Sequence, residues 1–354
     1  MCGGTTSSRG WEGCSDVIDF KYHMVSLVAV FLALAVGIIL GAGPLRGQLS
    51  EALESQVAEL GEERNALRSR VDLQEQRADG KDELLSSLLP SAVAGTLTDR
   101  RVTIVELPGA DTTLADAMAT ALQTAGAHVV ARTTVARSWI DPEGAAERQG
   151  VADELLPTFG RTDGETSPAA LLATVLAGPR EADESFAWAQ ADERLMDTDA
   201  IETQRLTEGE TVLPGAPAVA PDVVVVLSGG LDAAALNADS SLESRLTERV
   251  AIVAALAEQN VPTVVIAGGS ESYADPQTVA EDPLVAAIRS TVDVAEAVSS
   301  VDNIESAAGL VSATWATARM LEGDQGHYGL ADDAQAPAPP EPVRQDVAAD
   351  STTS

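Results

Sequence analysis

The front of the chain contains a long apolar segment. Residues 24–45 carry no charged side chain, and Ser26 is the one polar residue among them. At about 1.5 Å of rise per residue, a helix of this length is roughly 30 Å long, about the thickness of the hydrocarbon core of a bilayer. A cleavable export signal has a shorter apolar core, and a core helix of a soluble protein keeps a polar face. The pattern therefore predicts a transmembrane helix over 24–45, with a cleaved signal and a buried core helix as the alternatives.

Two glycines within this segment have the spacing of a membrane dimerisation motif. Gly37 and Gly41 lie on one helix face and would allow two such helices to approach closely. The lipid bilayer is therefore the first predicted partner. Residues 17–23 form a short N-terminal flank. The Gly/Ser-rich residues 1–16 are predicted to be disordered or to result from a mis-assigned start, with Val17 as the alternative first residue.

A seven-residue repeat follows the apolar segment. Residues 46–90 are mostly polar, with apolar side chains at heptad spacing and charges of both signs on the flanks. This pattern is typical of a coiled coil and predicts a homo-oligomer or a coiled-coil partner protein; an amphipathic helix packed on its own domain is the alternative. As one helix of about 40 residues, the segment would be a spacer of roughly 60 Å. The predicted interface consists of Leu53, Val57, Leu60, Leu67 and Val71.

Beyond residue 98 the pattern changes to strands that alternate with helices. Val/Ile-rich segments at 100–109 and 127–135 flank an amphipathic segment at 111–126, and the same order returns within 221–270. Continuous Val/Ile segments are typical of strands buried on both faces, so they favour a mostly parallel sheet flanked by helices. The predicted α/β domain covers 98–322.

The rest of this region is more polar. Residues 139–221, rich in Asp, Glu, Pro and Gly, are predicted to be an acidic insertion or a mobile lobe with one helix at 167–178. The Pro/Ala-rich and acidic residues 325–354 are predicted to form a disordered tail. The remaining predicted elements are helices at 283–290 and 303–321 and a last strand at 291–296.

Charge and cysteine content restrict the partners and the location. The net charge is −33 and the isoelectric point is about 4.2, which excludes nucleic acid as a partner and favours cations or basic surfaces. Cys2 and Cys14 both precede the apolar segment, so no thiol follows it, as suits an exported domain. We therefore predict a single-pass protein of the cell membrane or envelope with a cytoplasmic N terminus and an extracytoplasmic domain.

The ends of the predicted strands carry the candidate binding residues. Ligands of open α/β sheets bind outside the carboxyl ends of the strands, where glycines allow backbone N–H groups to approach an anion. Turn geometry is the alternative explanation for such glycines. The candidates are Asp111, Ser228, Gly229, Gly230, Gly268, Gly269 and Ser270.

The sequence lacks the motifs of common catalytic and metal sites. It contains no G-x-x-x-x-G-K-[ST] or G-x-G-x-x-G pattern for phosphates, no G-x-S-x-G elbow, and no H-E-x-x-H or C-x-x-C pair. We therefore predict that the chain is not an enzyme and has no cofactor. The three histidines and five methionines are scattered along the chain, so no metal ligands are assigned.

Four sequence features carry a resemblance to a known family. They are the segment VIDFKYHMVSLVAVFLALAVGIILGAGPL at 17–45, the leucine-repeat helix that follows it, the ELPGAD turn at 106–111 and GHYG at 326–329. Together they resemble the actinobacterial copper-transport family typified by mycobacterial copper transport protein B. The resemblance covers about residues 17–330. It implies a role in copper homeostasis or copper export in the cell envelope, with copper ions among the partners and a pore in the outer membrane. It supplies no copper ligands.

Two classes of function follow from these observations. The first is a membrane-anchored envelope protein for copper homeostasis, as the resemblance implies. The alternative is a bitopic coiled-coil scaffold that recruits or regulates a cell-wall enzyme during division, a role that the resemblance implies for some relatives. A small-molecule-binding α/β domain is a third option, which rests on the glycine turns alone.

Overall fold

The computed structural model describes residues 18–42, 44–161, 166–180, 184–207, 210–212, 219–230, 240–268 and 282–344. The chain divides into two compact units, residues 1–78 and residues 79–354. The predicted disordered start at 1–16 lies outside the described residues.

The first unit contains the apolar helix predicted for the front of the chain. Helix α1 (Ile18–Ala42) begins earlier than the predicted segment. Within it, Phe20–Gly41 is long and apolar enough to cross a membrane, with a mean hydropathy of 2.8, and none of it is buried inside the protein. Because an unburied helix that is apolar on all sides needs a lipid environment, α1 fits a single membrane-spanning helix.

Helix α2 (Pro44–Val93) begins directly after α1. Pro44 occupies its first position, where the missing N–H has no helical partner to lose. The predicted spacer is therefore helical, as expected. The predicted interface residues Val57, Leu60, Leu67 and Val71 are 52% to 68% exposed, and the side chain of Leu53 is outside the described part. The pairing of α2 into a coiled coil stays a prediction.

The second unit is built on one eight-stranded sheet. Its strands are β1 (Arg101–Glu106), β2 (His128–Val135), β3 (Ile201–Thr207), β4 (Glu210–Val212), β5 (Val223–Leu227), β6 (Thr263–Ile266), β7 (Ser299–Val301) and β8 (His327–Tyr328). They lie in the order β4-β3-β2-β1-β5-β6-β7-β8. The β2/β3 and β3/β4 pairs are antiparallel and the other pairs are parallel, so the predicted mostly parallel sheet is confirmed.

Helices pack on both faces of this sheet. Those that follow α2 are α3 (Thr112–Thr124), α4 (Ala145–Leu155), α5 (Pro168–Ala177), α6 (Ser185–Asp197), α7 (Ser240–Glu258), α8 (Pro283–Ser290), α9 (Val292–Ala295) and α10 (Ala307–Leu321). In β5, Val224 and Val226 belong to a core that includes α4 to α9, whereas Val223 and Val225 pack with α3, α10 and the end of α2. Alternate residues of a strand point to opposite faces, which produces these two cores.

The connections make this unit a doubly wound α/β domain. From β1 the chain crosses through α3 to β2 on one side of the sheet, and from β5 it crosses through α7 to β6 on the other side. Helices α3 and α7 contribute to opposite cores. The strand order therefore reverses between β1 and β5, which is the position where ligands of such folds commonly bind.

The described residues of 139–221 pack into the main domain, which corrects the mobile-lobe alternative of the prediction. The described part of this stretch forms α4, α5, α6, β3 and β4, and α5 lies in the main core with Leu171 and Leu172 fully buried. The helix predicted at 167–178 is thus confirmed. Strand β3 adds to the sheet beside β2. The sequence did not predict this strand, because among its described side chains Ile201 and Arg205 are buried whereas Glu202 is exposed.

Two predictions near the C terminus are also wrong. Residues 291–296 do not form a strand: they include the short helix α9, in which Val294 is buried and Val292 is exposed. The predicted disordered tail contains β8, and the chain beyond it packs back on the domain as far as residue 344. Residues 345–354 of the predicted tail are outside the described part.

Candidate functional site

The turns after β1 and β5 meet at the switch point, and glycine is required there by close backbone contact. A Cβ atom on Gly229 would lie 2.0 Å from the carbonyl oxygen of Pro108 and 2.6 Å from the amide nitrogen of Ala110. Gly109 has φ +87°, in the left-handed region that favours glycine. The ELPGAD turn and the Ser228–Gly230 turn are therefore in direct main-chain contact.

A buried arginine holds these two turns together. Arg249 is on α7 and is 3% exposed. Its Nη2 donates a hydrogen bond of 2.7 Å to the carbonyl oxygen of Pro108, and its Nη1 donates to the carbonyl oxygen of Gly229. Its Nε atom has no hydrogen-bond partner among the residues that the structure describes. The switch point is thus bridged by a guanidinium group that belongs to the chain itself.

The charge on Arg249 is affected by several neighbours. Burial, followed by the nearby Arg137 and Arg245, lowers the pKa of Arg249 to about 10, while the carboxylate of Asp282 acts in the opposite direction. Because a pKa near 10 is still well above neutral pH, the guanidinium stays charged. Two main-chain carbonyls and one nearby carboxylate compensate this buried charge.

Asp282 belongs to the same buried polar network. It precedes α8, and its Oδ1 accepts hydrogen bonds from the amides of Leu284 at 2.9 Å and Val285 at 3.3 Å. The hydroxyl of Ser228 lies 3.0 Å from each carboxylate oxygen of Asp282 and donates to that group. Burial raises the pKa of Asp282, and the hydrogen bonds and Arg249 oppose the rise. This network fixes the end of β5 to the start of α8.

A second ion pair fixes the start of the ELPGAD turn. Glu106 ends β1 and is buried, and its carboxylate pairs with Nε of Arg132 on β2. Arg132 also pairs with Asp116 on α3. The hydrogen bond to Glu106 is the main cause of the raised pKa of Arg132, and the hydrogen bond to Asp116 adds to it. Partial burial of Arg132 acts in the opposite direction. Glu106, the glutamate of the ELPGAD turn, is therefore paired with a residue of the chain itself.

The predicted binding residues lie in different environments in the structure. Asp111 is the exposed N-cap of α3 and accepts a 2.7 Å hydrogen bond from the amide of Thr113. Ser228 and Gly229 belong to the Arg249 network, and the Gly230 carbonyl approaches Gly109. A Cβ on Gly268 would lie 2.5 Å from a methyl carbon of Leu114. Gly269 and Ser270 lie outside the described residues.

The arrangement at the switch point favours turn geometry over an anion site. The described groups that converge there include the carbonyl oxygens of Pro108 and Gly229, which accept hydrogen bonds from the cationic Arg249. Pattern analysis missed Arg249 and Asp282. The signals were an arginine within the apolar residues of α7, and an Asp-Pro pair that starts a helix.

His327 of the GHYG motif has both ring nitrogens in hydrogen bonds. Its Nε2 donates to the carbonyl oxygen of Ala295 at 3.2 Å, and its Nδ1 accepts from the hydroxyl of Ser300 at 2.9 Å. That hydroxyl accepts in turn from Nε of Arg289 at 2.9 Å. Burial, and next the charge of Arg289, lower the pKa of His327. The imidazole is therefore neutral and structural, and it has no free nitrogen for a metal.

Metal-binding side chains are not clustered in the part of the chain that the structure describes. Within the described ranges, no three His, Cys, Asp or Glu side chains are grouped so that they could hold a metal ion. His128 is exposed, with Nε2 3.6 Å from a carboxylate oxygen of Asp99. His23 is on α1 and is exposed. Within the second unit, His128 on β2 and His327 on β8 are separated by four strands of the sheet.

Two cavities lie among the described residues of the second unit. One of about 30 Å³, enough for one or two water molecules, lies beside the buried Arg205–Asp192 pair, with the Arg205 guanidinium 5.1 Å from the centre of the Trp188 ring. Burial raises the pKa of Asp192, and Arg205 opposes this. The other is an open polar cleft of about 480 Å³ beside His327.

Comparison with known proteins identifies the family. The profile of the family described as "Copper transport outer membrane protein, MctB" matches residues 17–339. Proteins named "Copper transporter MctB" from Mycobacterium bovis and Mycobacterium tuberculosis are 27% identical over 322 residues, which cover 88% of this chain and 96% of each relative. The region matched by the family profile includes α1, α2 and nearly all of the described α/β domain. The chain belongs to the MctB family of copper transport outer membrane proteins.

Proposed function

We propose that this protein is a single-pass anchor protein of the cell envelope that serves copper homeostasis or copper export, with its α/β domain outside the cytoplasm. The observation that carries the proposal is the family match over residues 17–339, which includes the membrane helix and the domain in one continuous region. The match to a relative that is named as a copper transporter covers 96% of that relative's length. Copper is the cargo in this proposal.

The chemistry of α1 restricts how copper could be moved. Between Met24 and Gly41 this helix offers one hydroxyl, Ser26, and no charged group. A water-filled path requires polar groups that face its interior, and a lone apolar helix has none to offer. Export by this protein therefore depends on an oligomer or on partner proteins. The net charge of −33 attracts cations to the surface of the chain, which supports an accessory role near a copper path.

The described residues favour a non-enzymatic role. At the switch point Ser228, Asp282 and both Nη atoms of Arg249 are engaged in hydrogen bonds within the chain, and His327 has both ring nitrogens in hydrogen bonds. General acid–base or nucleophilic catalysis needs such a group to be within reach of a substrate. The switch-point network supports a structural domain that presents surfaces to partners.

Growth in copper tests this proposal. We expect deletion of the gene to shift the inhibitory copper concentration downward, and expression of the full chain to restore it. A matched strain that expresses the chain without residues 18–42 should fail to restore growth, because the domain is no longer held at the membrane. An unchanged dose response in the deletion strain would contradict the proposal.

The orientation requires its own experiment. A phosphatase that is active outside the cytoplasm, fused after residue 344, should be active, because the absence of thiols after α1 suits an exported domain. A reporter that fluoresces in the cytoplasm alone, fused at the same position, should be dark. The reverse pattern would place the domain in the cytoplasm.

A scaffold that recruits or regulates a cell-wall enzyme is the second candidate, and the exposed stripe on α2 favours it. Val57, Leu60, Leu67 and Val71 are more than half exposed along one heptad face, so they are available to a second copy or another helix. A parallel pair is the expected arrangement for two copies, because the same bilayer holds both chains at α1.

Paired substitutions distinguish the scaffold from a purely copper-linked role. Leu60→Asp with Leu67→Asp places two charges on the stripe, whereas Ser69→Asp with Gln76→Asp places two charges on the opposite face of α2. We expect the first pair to abolish cross-linked oligomers and the capture of partners from solubilised membranes, and the second pair to leave both intact. Equal behaviour of the two pairs would rule out the stripe as the interface.

A further inference from the structure

The chain after β8 forms an ordered strap whose burial repeats every three residues. In residues 336–344, here called the strap, Ala336 is half-buried and Pro339 and Pro342 are buried, while the residues between them are exposed. Polyproline II is a left-handed helix with three residues per turn, so every third residue lies on one face. Pro339 and Pro342 have the spacing of one polyproline face, and they lie against the domain after a bend at 337–338.

The surface under the strap is made by α10 and the end of α2. The hydroxyl of Ser312 on α10 lies 3.3 Å from the carbonyl oxygen of Pro337, and the amide of Val343 donates to Glu322 at 3.1 Å. At the far end, Nη1 of Arg344 donates to the carbonyl oxygen of Ser91 at 3.0 Å. These contacts follow the strap along the whole of its length.

Arg344 and Trp315 satisfy the C-terminal carbonyls of α2. The last carbonyls of a helix have no partner within it and carry partial negative charge, which favours a cation. The indole Nε1 of Trp315 donates to the carbonyl oxygen of Ala92 at 3.1 Å, and Nη2 of Arg344 lies 3.4 Å from the same oxygen. The basic residue at the end of the strap therefore lies at the C terminus of α2, where it shares an acceptor with Trp315.

The start of the strap is held more firmly than its end. In the chain before the strap, the carboxylate of Asp302 accepts hydrogen bonds from the amide of Leu330 at 2.5 Å and from Nη2 of Arg289 at 3.0 Å. Gly329 has φ +135°, and a Cβ there would lie 2.0 Å from Asp302 Oδ1, so the turn requires glycine. These groups are largely buried, whereas the Arg344 side chain is 44% exposed. Exposed hydrogen bonds open with little free energy, so the C-terminal end of the strap is the end where its contacts cost least to break.

We propose that α10 and the end of α2 form a binding groove for proline-rich peptides, and that the strap occupies this groove as an exchangeable intramolecular ligand. Proline-rich segments are already extended in polyproline II and lose little entropy on docking, which makes such grooves suitable for exchange. With the strap in place, the groove is closed to other proteins. Its release opens a site for a partner with the pattern Pro-x-x-Pro-x-Arg, which matches the strap residues Pro339, Pro342 and Arg344.

A peptide-binding experiment tests the groove. The probe is a fluorescent synthetic peptide with the strap sequence APAPPEPVR, and the protein is the full chain in detergent or the same chain ended after Gln335, which keeps the Asp302 turn. We expect the shortened chain to bind the peptide at least about tenfold more tightly than the full chain, because its groove is open. A control peptide with Asp in place of Pro339 and Pro342 should bind at least about tenfold more weakly to the shortened chain.

Two results would overturn the proposal. One is a shortened chain that keeps the near-UV circular dichroism of the full chain and yet does not bind the peptide. The other is equal binding by the full and shortened chains. If the shortened chain does not fold, the full-length variant Arg344→Ala replaces it. This variant should bind the peptide more tightly and exchange the amide of Val343 faster than the control Arg180→Ala; no difference between the two variants would reject the groove.

Discussion

Replacement of Arg249 by methionine tests the buried network at the switch point. The substitution removes both hydrogen bonds from the guanidinium and leaves the carbonyl oxygens of Pro108 and Gly229 buried without this donor. Each unsatisfied buried group costs about 1–3 kcal/mol, and Asp282 also loses its nearby positive charge. Part of this is offset, because burial of an arginine with an unpaired Nε is itself unfavourable. We therefore expect a net loss of about 3–4 kcal/mol in the free energy of unfolding.

The matched control is Arg245→Met, one helical turn earlier on α7. The Arg245 side chain is 21% exposed and pairs with Asp141, whose side chain is 28% exposed, so this pair is worth less than about 1 kcal/mol. Urea unfolding of the full chain in detergent, followed by tryptophan fluorescence, measures both variants. Equal losses of stability would refute the role given to Arg249. A more stable Arg249→Met variant would also refute it and would indicate that the carbonyls find other donors.

Three further predictions concern stability. Gly229→Ala should destabilise the domain by about 3 kcal/mol or more, because the added Cβ meets a main-chain carbonyl oxygen. Gly150→Ala should stabilise the domain by about 0.5–1 kcal/mol, because Gly150 lies within α4 and has open space for a Cβ. Thermal melts compare the two variants. Because the folded state lowers the pKa of His327, stability should decrease as pH falls below the ordinary value of 6.5, and urea midpoints should show a shallower decrease in His327→Asn. Asp82→Ala removes the acceptor of a 2.8 Å hydrogen bond from the first amide of α10, and urea unfolding should show a loss of about 1 kcal/mol in the free energy of unfolding. The control Asp79→Ala should have little effect.

The elements that the sequence predicted well are those with a strong local signal. The Val-rich β5 is buried at every residue, and α3 begins after its N-cap Asp111 and ends before Gly126 with φ +96°. The apolar α1 could be recognised from length and composition alone. In each case, the information lies within about one element of the chain.

The missed features depend on contacts between distant residues or on very short elements. Arg249 and Pro108 are 141 positions apart, so no local pattern reveals that they share a hydrogen bond. Strands β7 and β8 have three and two residues, too few for a recognisable alternation. The strap has the composition of a disordered tail, because a docked and a free polyproline segment have the same sequence; burial of Pro339 and Pro342 distinguishes them.

The most direct test of the central claim is the copper content of cells. We predict that cells without this protein accumulate more cell-associated copper than the parent strain during growth in added copper. The full chain should return the copper content to the parental level, and the chain without residues 18–42 should not. Equal copper content in the parent and deletion strains, under conditions in which the protein is expressed, would contradict the account.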